Sequence, residues 1–201
     1  MNDSQKKAWA ELKDRLSVDV LHVDIPINQI QIECAKQFVQ EVVKEKVKET
    51  NHKFDNKSME TREFTGKIGE IAVEYWLMNL SPDMCKGPFV DYTVGKSKDY
   101  NIPDLLAAGY NLGCKTVTYK NFAPLVPKNP DIPELICLWD EQKSVVHILG
   151  IATPNMIKEH GDIDLVISED VKKRGTKTGF GKFSALLAPT EARIKWYQTK
   201  S

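Results

Sequence analysis

Residues 102–119, IPDLLAAGYNLGCKTVTY, carry an acid directly after a proline, then a glycine-containing turn, then a run whose β-branched and apolar content predicts a strand around a lysine. A lysine in such surroundings is uncommon, because an ammonium group is rarely buried. Side chains alternate along a strand, so Asn111, Gly113 and Lys115 share one face while Leu112, Cys114 and Thr116 share the other. The face that carries Lys115 is the one assigned to a functional site.

Upstream, residues 63–80, EFTGKIGEIAVEYWLMNL, predict a helix that Ser81-Pro82-Asp83 stops. Its main apolar stripe is Ile68, Ile71, Ala72, Tyr75 and Trp76. Val73 and Leu77 stand three and seven residues after Glu70, so the glutamate's own side is apolar as well. An isolated buried carboxylate costs several kcal/mol, so Glu70 needs a lysine, donor hydrogen bonds or a metal ion as partner. Gly66 and Gly69 leave the helix entrance free of side-chain bulk, which lets its backbone approach a sheet closely.

Helical G-x-x-G-E, then P-D, then a strand ending C-K-T, then further strands: in this order the chain resembles the PD-(D/E)XK nuclease superfamily of restriction-like and phage-type DNA endonucleases over about residues 60–155. The resemblance implies an α/β restriction-endonuclease-like domain, a mixed central sheet flanked by helices. It implies divalent metal, Mg²⁺ with Mn²⁺ able to substitute, held by Glu70, Asp104 and the Cys114 carbonyl. It implies catalytic roles for Glu70, Asp104 and Lys115, the lysine contacting the attacking water and the scissile phosphate. One departure stands out: two residues before the lysine the family has Glu or Asp, and here the residue is Gly113. Another acid has to fill that gap or the site is weak; Glu70 is the leading donor, with Asp99 and Asp91 behind it. The expected function is metal-dependent hydrolysis of DNA phosphodiester bonds. The alternative is a catalytically weakened nuclease fold that binds nucleic acid or protein.

Around this centre, strands are predicted at about 88–94, 110–119, 134–140, 144–153 and 163–168, with a short helix from Pro154 to His160. Residues 5–16 and 27–49 read as helices, Ile27, Ile30, Cys34, Phe38 and Val42 recurring at helical spacing. They suggest a helical arm over 1–55, a nuclease-like domain over 56–201, and a homodimer formed through the arm. The proline-rich segment 120–130 and the basic, glycine-rich segment 172–182 read as loops beside bound DNA, contributing Lys120, Lys128, Lys172, Lys173, Arg174, Lys177 and Lys182.

The charge of the 201 residues is segregated, although it sums to zero. Residues 168–201 hold eight Lys and Arg against three acids, and residues 129–164 hold two Lys against seven acids, as a one-sided anion-binding surface requires. Only four of the 28 basic residues are arginine, which gives sequence-specific reading of guanine no support. The four cysteines and four histidines show no metal-ligand spacing. With 41% hydrophobic and 28% charged residues, and no apolar run of bilayer length, the composition predicts a globular cytoplasmic protein with no membrane partner, and the resemblance implies a bacterial or phage-infected host cell.

Overall fold

The segment Glu134–Asp140 (β4), ELICLWD, is buried at every position, so its side chains require cover on both faces of the sheet. A computed structural model describes residues 1–46, 59–80 and 103–199 and shows how that cover arises. Asp3–Leu16 (α1), Val23–Pro26 (β1), Gln29–Lys46 (α2) and Met59–Leu80 (α3) are followed by Gly113–Thr118 (β2), Leu125–Pro127 (β3), β4 and Val145–Ala152 (β5). Pro154–His160 (α4), Gly161–Asp162 (β6), Glu169–Arg174 (α5), Lys177–Phe180 (β7) and Glu191–Lys195 (α6) complete the order. The mixed sheet runs β1-β5-β4-β2, with β2 parallel to β4 and the other pairs antiparallel, and a small second sheet runs β3-β7-β6.

Cys114, Leu135, Cys137, Val146 and Ile148 pack on one face against Ile68, Ala72 and Trp76 of α3. Val117, Ile136, Leu138 and Leu149 pack on the other face against Ala8 and Leu12 of α1, Phe180 of β7 and Phe183. Gly69 decides how closely α3 can lie. A β-carbon built there would overlap the Thr116 hydroxyl on β2, whereas one on Gly66 meets nothing within 4 Å. The close approach expected from the glycine pair therefore rests on Gly69 alone.

Several expectations are corrected. Of the arm expected over 1–55, the described residues 1–46 do not stand apart: β1 is a strand of the central sheet, and Leu12, Ile25, Ile27 and Ala35 lie in the two cores. Ala8 and Leu12 of α1 and Ala35 and Val39 of α2 are buried inside the chain, whereas Ile30 of α2 is exposed. Residues 163–168 form no strand. Asp162 accepts a hydrogen bond from the Asp164 N–H and starts a 3₁₀ turn over Ile163–Leu165, leaving Ile163 and Ile167 exposed where a core strand would bury them. Segment 172–182 is not a loop, because α5 runs into Gly175 at φ 66° and then into β7; Gly175 takes the left-handed conformation that ends a helix. Nor is 120–130 a plain loop, since β3 lies within it and pairs with β7. The strand expected at 88–94, with Asp91 and Asp99, falls outside the described residues.

Candidate active site

β2 begins at Gly113 directly after a turn that starts at Asp104, and one hydrogen bond joins the two. The Asp104 carboxylate accepts from the Cys114 N–H at 2.6 Å, and the turn is closed by the Leu105 N–H donating to Leu112 O at 3.0 Å. Short local contacts thus fix Asp104 at the start of the strand. Lys115 follows on the face opposite Cys114, as alternation predicts, and its Nζ lies 3.2 Å from Asp104 Oδ2 and 3.3 Å from the Cys114 carbonyl. Asp104 and Lys115 converge as expected.

The acid that faces Gly113 is Glu134. In the parallel pairing of β2 with β4, Gly113 and Glu134 are register partners, so their side chains emerge on the same face. A β-carbon built on Gly113 would fall on the Glu134 carboxylate, which occupies the room that glycine leaves. Glu134 Oε2 lies 3.4 Å from Lys115 Nζ, and the glutamate side chain is only 3% exposed. Sequence reasoning missed this residue. Its signal was present as a lone acid at the head of an otherwise apolar strand, but which neighbour it faces depends on register.

Of the partners expected for Glu70, a lysine is the one the fold supplies. Lys67, one turn earlier on α3, holds its carboxylate at 2.5 Å, and the Lys67 ammonium also sits 4.1 Å from the centre of the Phe38 ring of α2. Burial pushes the Glu70 carboxyl up, Lys67 opposes that rise, and the charges of Asp104 and Lys115 act on it too. Glu70 therefore borders the group, and Glu134, not Glu70, fills the gap at Gly113.

Burial works against the charge of Lys115, but Glu134 and Asp104 outweigh it and hold its pKa above the ordinary lysine range. The Cys114 thiol is pushed well up by its hydrogen bond with Cys137 and by burial, so it stays protonated and offers no thiolate. Burial also pushes the Glu134 carboxyl up; Lys115 lowers it, and Asp104 raises it further. A carboxyl with a higher pKa folded than unfolded contributes stability that is complete below the unfolded value of about 4.3 and lost as pH rises through the folded one. Glu134→Gln is accordingly expected to gain Tm relative to the wild type as pH is raised from about 4 to 7 in chelator-containing buffer. A Tm difference independent of pH, or one that shrinks, would contradict this.

The donor set suits a hard divalent cation. Glu134 Oε2 is buried beside the Lys115 ammonium, Asp104 offers a carboxylate about one third exposed, and the Cys114 carbonyl lies within reach of the same lysine. Oxygen donors with net negative charge are what Mg²⁺ and Mn²⁺ prefer. Clefts beside Trp9, Tyr119 and Phe122, and between Lys7, Glu11 and Asp162, lie apart from this group.

The basic residues divide. Lys177 is close enough to lower the Glu134 pKa, and Lys128 is tied to the same place through its N–H donating to Thr176 O at 2.9 Å. Lys173 and Arg174 are exposed at the end of α5, next to β7. Lys172 and Lys182 are engaged by Glu169 at 2.9 Å and Glu11 at 2.7 Å, and Lys120 lies beyond the other end of β2. Comparison with protein-family models, curated proteins and solved structures finds no match to this chain.

Proposed function

We propose that this chain is a metal-dependent endonuclease that hydrolyses DNA phosphodiester bonds. The observation that carries the reading is a lysine ammonium within 3.4 Å of two carboxylates, Asp104 and Glu134, brought together from a turn and a neighbouring strand. Asp104, Glu134 and the Cys114 carbonyl are the residues that would hold Mg²⁺ or Mn²⁺. Such an ion neutralises charge on a phosphate and makes bound water acidic.

Lys115 supplies the fixed positive charge. Its ammonium is held by both carboxylates and aimed at the space they share, where it orients the attacking water and stabilises negative charge developing on the phosphoryl oxygens. Glu70, neutralised by Lys67, packs behind this group. Lys128, Lys177, Lys173 and Arg174 form the basic border along which a phosphodiester backbone would run, giving attraction without base selection. The Glu134 carboxylate beside Gly113 supports the cleaving reading over that of a binding module.

The test is plasmid nicking by chelator-treated protein. Cleavage is expected only after Mg²⁺ or Mn²⁺ is added, and it should vanish in Asp104→Ala and Lys115→Ala. Wild-type protein that leaves duplex, branched and single-stranded DNA intact with either ion, or variants that cleave as well as it does, would remove the proposal.

A further inference from the structure

Far along the same sheet, a second constellation of side chains plays no part in the reaction above. We propose that His22, Asp24 and His147 form a binding site for a first-row divalent transition-metal ion of the zinc type, which ties the edge strand β1 to β5. The antiparallel register makes Asp24 and His147 direct partners, so they stand side by side on one face. His22 precedes Asp24 by two residues in extended backbone, φ −142° and ψ 172°, and reaches the same face. Along β4 the distance from Glu134 to Asp140, which lies beside His147, is six strand steps, about 20 Å. The two groups are separate, and this inference does not depend on the nuclease reading.

The distances suit an ion. Asp24 Oδ1 lies 2.6 Å from His147 Nδ1 and 3.2 Å from His22 Nε2, and one donor atom from each residue lies within 4.8 Å of the other two. Tetrahedral bonds of zinc length, about 2.1 Å, set donors about 3.4 Å apart, so small side-chain rotations convert the trio into a ligand set. Both imidazoles are 7% exposed while Asp24 is 54% exposed, which leaves an approach from solvent and room for a water as fourth ligand.

The outer ring nitrogens give a second, independent argument. His147 Nε2 is buried without a hydrogen-bond partner, and the nearest carboxylate oxygen, Asp140 Oδ2, is 3.9 Å away. With the ring proton on Nδ1, donated to Asp24, His147 turns a lone pair toward that carboxylate. A metal ion on Nδ1 moves the proton to Nε2, where it faces Asp140, the carboxylate–histidine–metal arrangement that orients ligating histidines. Asp140 is fixed for that role, accepting from the Gln142 and Lys143 N–H groups at 3.1 and 3.2 Å. Two imidazoles and one carboxylate select zinc, cobalt or nickel over magnesium. A metal here fastens β1, the last strand of this sheet among the described residues, to β5, and His22 anchors the chain that leads into β1.

The experiment uses the full chain carrying Asp104→Asn, so that an ion at the oxygen-rich site does not contribute. Chelator-treated protein titrated with Co²⁺ is expected to develop the visible absorption of histidine-bound cobalt, saturating at one equivalent. Zn²⁺ at a hundredfold its dissociation constant should raise Tm by roughly 5 °C or more. Asp24→Ala, a change at an exposed side chain whose folding is checked by circular dichroism, should weaken Co²⁺ binding at least tenfold and cut the Tm rise by about half or more; His147→Gln should do the same. No saturable cobalt absorption in the Asp104→Asn protein, or an unchanged titration after Asp24→Ala, overturns the proposal.

Discussion

Exchanging the register partners, Gly113→Glu together with Glu134→Ala, is expected to yield a protein that cleaves DNA within about tenfold of wild type, although each single change disables it. Gly113→Glu alone forces a second carboxylate into the space that Glu134 fills, combining overpacking with an unpaired buried charge, for a loss of about 3 kcal/mol or more. Glu134→Ala alone removes a buried oxygen beside Lys115 and should lower cleavage by at least about 10²-fold, the upper end of what losing a mere supporting partner of a metal ligand costs. In the double variant the acid returns by way of β2 to the face and neighbourhood it had left. Rates from single-turnover cleavage, with urea midpoints for all four proteins, check the pattern. Independent, additive losses in the double variant would mean that the two positions do not share one space.

The largest loss of stability is expected at Arg15, far from the chemistry. Its guanidinium, buried at the end of α1, donates to the carbonyls of Leu149 on β5, Phe183 and Leu21, fastening three segments at one point. Burial, helped by the nearby Arg193, pushes its pKa down to about 10, so the group is still charged at neutral pH. Arg15→Ala leaves three carbonyl oxygens without this donor and opens a void, and the expected loss is about 3–5 kcal/mol. Arg15→Lys keeps the charge but not the planar fork that reaches three acceptors, and should recover less than half of that loss. Urea unfolding followed by tryptophan fluorescence measures both. A loss under about 1 kcal/mol in Arg15→Ala would mean that water satisfies those carbonyls.

How far the site was legible depends on the range of each interaction. Asp104 and Lys115 stand eleven residues apart and are joined by a turn and a strand start, so local signals of proline, glycine and alternation bring them together. Glu70 was correctly read as needing a partner, and Lys67 within one helical turn supplies it. Glu134 was invisible because it reaches Gly113 only through parallel pairing, which no spacing along the chain encodes. His22 and His147 show no ligand spacing for the same reason, since His147 lies more than a hundred residues from Asp24 across an antiparallel pair.

By itself the sequence determined the helical stretch that bears Glu70, the strands β2, β4 and β5, and the face from which Lys115 projects. Those features follow from periodicity and turn chemistry, which act over a few residues. Only the tertiary structure decided that residues 1–46 belong to the core and not to an arm, that 163–168 turn instead of extending, and that the acid facing Lys115 comes from the adjacent strand. Each of those outcomes is set by strand register and by burial against distant segments, where a shift of one residue would turn Glu134 to the opposite face and leave Lys115 with Asp104 alone.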